Sequence, residues 1–149
     1  MYIIYAFLGA VMASVGTIFA KVGLQGVDSN LLTAIRGIVM AIIVSIAALS
    51  FGKLNTQLLT SLSSKQWIFV ILSGAGGALS WIFFYHALAG GSAISVTVID
   101  KLSLVLTALL AFLFLNESIT LSVLVGLLFV LIGTLLVAVP WNTIVGIFK

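Results

Sequence analysis

Charged residues are scarce in this sequence: six Lys and Arg and three Asp and Glu make up 6% of its 149 residues. Soluble domains average about 25% charged residues. Hydrophobic residues make up 63% of the chain, and a soluble domain of this size could not hide so much apolar surface, because small domains leave much of their surface facing solvent. The composition therefore excludes a soluble globular fold and predicts an integral membrane protein.

Cysteine is absent as well, which excludes disulfides and thiolate metal sites. No spacing of His, Asp and Glu resembles a metal site. The stretch Gly74-Ala75-Gly76-Gly77 lies inside an apolar run and is no phosphate loop, and the basic residues are dispersed, unlike a nucleic-acid-binding patch. The sequence predicts a protein that is not an enzyme and that binds no cofactor, metal or nucleic acid.

Five apolar runs are long enough to cross the bilayer, which takes about 20 residues. Backbone groups in lipid must bond within their own segment, which selects helices over strands. Pro140 closes the last run, and Trp141 suits an interfacial aromatic position. The prediction is an all-α membrane protein, a five-transmembrane-helix bundle that forms a single domain over residues 1–149. The predicted spans are approximately 2–20, 31–51, 67–88, 93–115 and 121–139.

Small residues line faces of three predicted helices. They let helix backbones approach closely where no hydrophobic force drives association. In the third run, small residues precede an aromatic stretch, so this segment either packs closely or borders a cavity; they include Ser73, Gly74, Gly76, Gly77, Ala78 and Ser80. The small residues of the first and fifth runs are Gly9, Ala13, Gly16 and Ala20, and Gly126 and Gly133.

An acid and a base lie side by side inside the fourth predicted span. Asp100 and Lys101 are roughly 10 Å from its start, and charges at such depth usually face a bundle interior or a pathway. Successive helical residues point in different directions, so the two are not expected to pair as i,i+4 neighbours would. Their predicted partners are His86, Arg36 and Lys21. Asp100 either braces the bundle or serves as a titrating or substrate-contacting carboxylate.

The remaining ionisable groups each have a structural interpretation beside the functional one. His86 is either a hydrogen-bonded packing residue or a proton relay. Lys21 and Arg36 are also placed to extend toward the headgroups. Glu117 is predicted to cap the start of the fifth helix, where a carboxylate suits the helix dipole.

Several short motifs follow one another along nearly the whole chain. They are Phe19-Ala20-Lys21-x-Gly23, Ala34-x-Arg36, Ser73-Gly74-x-x-x-x-Leu79-Ser80-Trp81, Ala87-Leu88-x-x-Gly91-x-Ala93, Ile99-Asp100-Lys101-Leu102-Ser103 and Leu113-x-Leu115-Asn116-Glu117. In this order and spacing they resemble the EamA domain of the drug/metabolite transporter superfamily, above all its short bacterial members with one such domain. His86 departs from the family pattern.

The resemblance implies a secondary transporter. Full-length relatives carry two five-helix repeats in inverted orientation, an arrangement typical of secondary transporters. A chain with one repeat is then one half of an inverted-repeat transporter fold and must supply the other half by dimerising. Only an antiparallel pair would reproduce that architecture.

The basic residues allow a test of orientation that is independent of the family. The side of the membrane richer in Lys and Arg is usually cytoplasmic. Lys53 and Lys65 lie on the side of the N-terminus, and Lys21, Arg36 and Lys149 lie on the other. Lys101 is left out of this comparison because it is predicted to be buried within the fourth span. Two against three is almost no bias, which favours dual topology, although short proteins of fixed orientation also show weak bias.

These observations lead to one main functional prediction and two alternatives. The main one is a multi-pass exporter of a small metabolite in a bacterial inner or plasma membrane, working by alternating access as a homodimer, with antiparallel and parallel arrangements both open. The alternatives are a non-transporting subunit of a larger membrane protein and a cation exporter like the small multidrug resistance proteins, whose acid in the first helix is missing here. The predicted substrate-binding or coupling residues are Asp100, Lys101, Ser80, Trp81, Tyr85, His86 and Arg36.

Overall fold

The structure is a computed structural model that describes residues 2–139. The predicted roles of Pro140, Trp141 and Lys149 fall outside the described residues. Residues 2–139 contain helices and no strands, which confirms the all-α prediction. The helices are α1 (Tyr2–Gly23), α2 (Ser29–Ser50), α3 (Thr56–Thr60), α4 (Ser64–Gly90), α5 (Ala93–Asp100), α6 (Leu102–Leu115) and α7 (Leu121–Ala138).

Within this part of the chain, five helical segments are long and apolar enough to span a membrane: α1, α2, α4, the continuous stretch Ala93–Leu115, and α7. The predicted number of spans is therefore confirmed. Most large apolar side chains on these segments are exposed in the single chain, as expected for helices whose outer faces meet lipid.

Local capping explains where several helices begin and end. The Asp28 carboxylate accepts hydrogen bonds from the backbone N–H groups of Asn30 and Leu31, at 2.9 and 3.0 Å, which satisfies donors that a helix start leaves unpaired. Asn116 ends α6 in the left-handed conformation, with φ of 53°. The N-cap of α7 is Thr120. The prediction that Glu117 caps this helix was wrong, because the helix begins later than Glu117.

Two features differ from the predicted helices. The polar segment after α2 contains the one-turn helix α3, which begins at the Asn55 cap and is too short for a periodic pattern to reveal. The fourth span is broken: α5 ends at Asp100 and α6 begins at Leu102. At the break, the Lys101 N–H donates to the Val98 carbonyl at 3.1 Å, one residue closer than in an α-helix.

The chain divides into two compact units, one ending at Gly90 and the other beginning at Gly91. In the first unit, α4 packs against α2 and α1; in the second, α5 and α6 pack against α7. The most buried side chains of the described residues are Tyr85 and Leu88 in the first unit and Thr134 in the second. That residues 1–149 act as a single domain stays a prediction.

Candidate functional site

One face of α2 carries the polar residues that meet α4. Ser29, Thr33 and Arg36 follow an i, i+4, i+7 spacing, which places them on the same side of the helix. The helices are antiparallel in this region, because Ser29 at the start of α2 meets His86 near the end of α4, and Arg36 meets Tyr85. A polar strip therefore runs along the interface inside the first unit.

Arg36 lies at the centre of this strip, half-buried between aromatic rings. Its Nη1 donates a hydrogen bond to the Tyr85 hydroxyl. The guanidinium carbon lies 5.1 Å from the ring centroid of Trp81 and 5.1 Å from that of Tyr85, within the range of a cation–π interaction. Phe84 packs edge-on against Tyr85, with ring centroids 5.6 Å apart. The rings therefore stabilise the position of the guanidinium, but they carry no negative charge that would neutralise it.

The third side of the Arg36 site is formed by α1. A Cβ atom added at Gly16 would lie 3.6 Å from Nη2 of Arg36, so the backbone of α1 passes directly beside the guanidinium. The small-residue face predicted on the first helix therefore makes room for a charged side chain from α2. The sequence suggested close helix packing there and gave no sign of this contact.

No carboxylate of the first unit neutralises Arg36. Asp28 is the only acidic residue among positions 1–90. It lies eight residues before Arg36, about 12 Å along the helix, and its carboxylate caps α2. The ion pair found among residues 2–139 joins Lys101 to Asp100. A guanidinium has five N–H donors, and the hydroxyl of Tyr85 accepts from one of them.

Two further polar contacts lie near the same end of α4. The Ser29 hydroxyl lies 3.1 Å from Nδ1 of His86, which supports the interpretation of His86 as a hydrogen-bonded packing residue. Lys21 Nζ donates to the Leu88 carbonyl at 2.7 Å, an oxygen in the last turn of α4, where helical carbonyls need partners from outside the helix.

Asp100 and Lys101 pair with each other, at 3.5 Å between Oδ2 and Nζ. The prediction that they would not pair was wrong. It assumed a continuous helix, whereas α5 ends at Asp100 and the chain turns at Lys101. The predicted partners Arg36, His86 and Lys21 belong to the first unit, and a contact between them and this pair stays a prediction. The side chains of Lys101 and Asp100 are 50% and 37% exposed in the single chain.

Thr134 was not predicted as a site residue, yet it contacts the broken helix. Its hydroxyl lies 2.8 Å from the Val130 carbonyl oxygen in its own helix and 3.3 Å from the Val98 carbonyl oxygen of α5. Threonine in a transmembrane helix commonly bonds to the carbonyl four residues earlier, so the sequence gave no signal for the second contact.

The second unit also contains an apolar groove of about 210 Å³. It is lined by Val105, Ala108, Leu109, Ile119, Leu124, Leu127, Leu128 and Leu131. All eight lining side chains are apolar, so the groove offers no side-chain partner for a charged group.

The predicted site residues thus fall into separate groups. Arg36, Trp81 and Tyr85 come together, and His86 follows them on α4 with Ser29 as its partner. Ser80 is exposed on α4. Asp100 and Lys101 form their own pair in the second unit. No group of His, Cys, Asp and Glu suited to a metal ion occurs among residues 2–139.

Comparison with known proteins identifies the family. The model of the EamA-like transporter family matches residues 1–139. The chain belongs to this family. This confirms the resemblance found in the sequence, and membrane transport is the broad role that it establishes.

Two relatives extend over almost the whole chain. One, from a Sinorhizobium species, is described as an uncharacterized transporter in the cobO 3′ region. It is 34% identical over 135 residues, and the match covers 91% of this chain and 94% of the relative. The other, an uncharacterized protein from Methanocaldococcus jannaschii, is 27% identical over 139 residues, covering 92% and 96%. The chain is therefore similar in length to both. No solved structure gives a significant match.

Proposed function

We propose that this family member is a secondary transporter that exports a small metabolite by alternating access, acting as a homodimer in a cell membrane. The observation that carries the proposal is the Asp100–Lys101 pair. It lies inside the apolar span Ala93–Leu115 and is substantially exposed in the single chain. Because charges facing hydrocarbon cost several kcal/mol, this pair requires water or another protein surface beside it.

The helix break at the pair supports a role in transport. In transporters built from inverted repeats, substrate and ion sites are typically formed by discontinuous helices, because a break leaves backbone polar groups available inside the membrane. Irregular backbone is tolerated at this depth only where protein or a water-filled cavity surrounds it. The break between α5 and α6 at Asp100 and Lys101 fits such a polar pathway.

The homodimer follows from the number of spans. Five helices correspond to one repeat of the inverted-repeat architecture, so a second copy would supply the other repeat and would cover the exposed pair. An antiparallel dimer requires that the chain insert in both orientations, and the near-equal distribution of basic residues favours this. Dual topology is therefore part of the proposal.

Flux measurements test the transport function. Proteoliposomes loaded with the pH indicator pyranine are challenged with panels of amino acids, organic acids and amines. We expect solute-dependent proton movement in the wild type and its loss in Asp100→Asn, with insertion and dimerisation unchanged. Asp28→Asn is the matched control, since it removes an acid outside the spans and keeps a capping oxygen. Absence of flux with every panel would favour the alternative of a non-transporting subunit.

Orientation is tested by labelling a single cysteine, because the natural chain has none. Gln57→Cys places a thiol on the exposed helix α3, between the second and third spans. A membrane-impermeant maleimide applied to intact cells should label about half of the chains if both orientations occur. Labelling of all chains or of none would exclude the antiparallel dimer.

A further inference from the structure

We propose that Arg36 is the recognition site for a carboxylate group on the transported solute. This inference rests on the proposed transport function and assigns its substrate class. It depends on the arrangement of the guanidinium between the rings of Trp81 and Tyr85 and the backbone at Gly16.

The charge of the Arg36 guanidinium needs compensation at this depth in the membrane. A cation inside a membrane-spanning bundle is stable only when an opposite charge or a set of dipoles compensates it. Arg36 has one hydroxyl acceptor and two aromatic faces, and its own unit offers no acid to pair with it. Rings and a hydroxyl contribute less than a charge-assisted bond to a carboxylate. The site therefore favours one bound negative charge.

The shape of the Arg36 guanidinium also suits a carboxylate. A guanidinium is a planar fork that matches the two oxygens of a carboxylate with parallel hydrogen bonds. The Tyr85 hydroxyl accepts from Nη1, and the rings of Trp81 and Tyr85 restrict the orientation of the plane. The fork is thus positioned before a ligand arrives, which reduces the entropy lost on binding.

The surroundings of Arg36 also restrict the type of anion. A phosphate group on a lipid would also satisfy the guanidinium. However, Arg36 is a single cation held by aromatic rings, and the nearest basic residue along α1, Lys21, is hydrogen-bonded to the Leu88 carbonyl. One guanidinium balances the single charge of a carboxylate more closely than the roughly two charges of a free phosphate monoester. A lipid phosphodiester carries one charge, like a carboxylate, and the lipid arm of the experiment below distinguishes the two. The surrounding rings favour an apolar group next to the carboxylate.

Trp81 makes this inference measurable without transport. The sequence contains three tryptophans, so Trp67→Phe together with Trp141→Phe leaves Trp81 as the only indole, stacked against Arg36. The single-tryptophan protein in phosphatidylcholine nanodiscs is titrated with 3-phenylpropionate, with its amide 3-phenylpropionamide and with the amine 3-phenylpropylamine. We expect a saturable change in Trp81 emission with the carboxylate and none with the amide or the amine.

Substitutions at the site test the role of the fork. Arg36→Gln should abolish the response, and Arg36→Lys, which keeps the charge and loses the fork, should weaken the apparent affinity by about tenfold or more. Tyr85→Phe should weaken it several-fold while preserving the guanidinium. Lys53→Gln, at an exposed position before α3, is the matched control and should leave the response unchanged.

Several outcomes would overturn the inference. An equal response to the amide, or a carboxylate response of unchanged apparent affinity in Arg36→Gln, would show that Arg36 is only a structural brace. If phosphatidylglycerol nanodiscs alone shift Trp81 emission in an Arg36-dependent manner and suppress the response to 3-phenylpropionate, the bound oxyanion is a lipid phosphate. Should proteoliposomes transport amines or neutral solutes independently of Arg36, this inference fails and the transport function stands. If the protein binds 3-phenylpropionate through Arg36 but shows no flux with any solute, Arg36 recognises a carboxylate and the transport function fails.

Discussion

The hydroxyl of Thr134 on α7 lies 3.3 Å from the carbonyl oxygen of Val98, two residues before the end of α5. Thr134 is almost completely buried. The contact joins α7 to the last turn of α5, immediately before the break at Lys101, where carbonyl groups lose their regular helical partners. The position of the break is therefore supported by a side chain from a different helix.

We expect Thr134→Val, which keeps the shape and removes the hydroxyl, to destabilise the protein by about 0.5–1.5 kcal/mol. It should also increase backbone hydrogen exchange around residues 98–104, because the last turn of α5 loses an external donor. Thr134→Ser should retain most of the stability. Thr107→Val, at an exposed position in α6, is the control. Unchanged exchange in Thr134→Val would show that the contact does not support the break.

Gly16 is predicted to tolerate alanine and to reject a long side chain. A Cβ at this position would lie at ordinary contact distance, 3.6 Å, from Arg36, so Gly16→Ala should leave Trp81 emission unchanged in the single-tryptophan protein. Gly16→Leu should shift that emission, because the added atoms would displace the guanidinium from the ring. Gly9→Leu is the control, since a Cβ there meets nothing within 4 Å. An identical spectrum for Gly16→Leu would contradict this prediction.

The contact between Ser29 and His86 is expected to stabilise the pairing of α2 with α4. Ser29 is buried and its hydroxyl lies 3.1 Å from Nδ1 of His86, so Ser29→Ala should lower the free energy of unfolding by about 1 kcal/mol. Ser14→Ala is the matched control, because that exposed hydroxyl donates to the Ala10 carbonyl within its own helix. The free energies of unfolding of the two variants are compared by denaturant unfolding in mixed micelles. Equal losses in Ser29→Ala and Ser14→Ala would argue against a role of Ser29 in joining α2 to α4.

Asp28 is expected to stabilise the start of α2. Its carboxylate accepts from two backbone N–H groups, and removal of such a cap usually costs about 1 kcal/mol. We expect Asp28→Ala to lower the thermal midpoint in detergent and Asp28→Asn to lower it much less, because asparagine retains an acceptor oxygen. A loss as large in Asp28→Asn as in Asp28→Ala would indicate that charge, not capping, is what matters.

The helix positions were predictable from the sequence because hydrophobic runs of this length have few alternatives in a bilayer. The break between α5 and α6 was not, since neither proline nor glycine marks it. Lys101 occupies a right-handed helical conformation with φ of −68° and ψ of −10°, which any residue can adopt. The pairing of Asp100 with Lys101 was not predictable for the same reason, because adjacent residues of an unbroken helix point in different directions.

Arg36, Trp81 and Tyr85 were each predicted as candidate site residues, but their contact with one another was not predicted. Arg36 suggested function because charged residues at membrane depth are uncommon, and the rings of the third span suggested it because they directly follow a stretch of small residues. Which residues meet, however, depends on how α2 and α4 are rotated about their axes. A membrane helix is apolar on nearly all sides, so its hydrophobic pattern does not indicate which side faces its neighbour.

The sequence by itself determined that this protein is a five-span membrane protein, because the length and apolarity of each run are properties of the linear chain. It also determined the family, because the motifs that identify the family are local in the sequence. Tertiary structure decided which polar groups became partners: Arg36 with two aromatic rings, Ser29 with His86, and Thr134 with Val98. Those contacts are between residues far apart in sequence, and only helix packing brings their atoms within bonding distance.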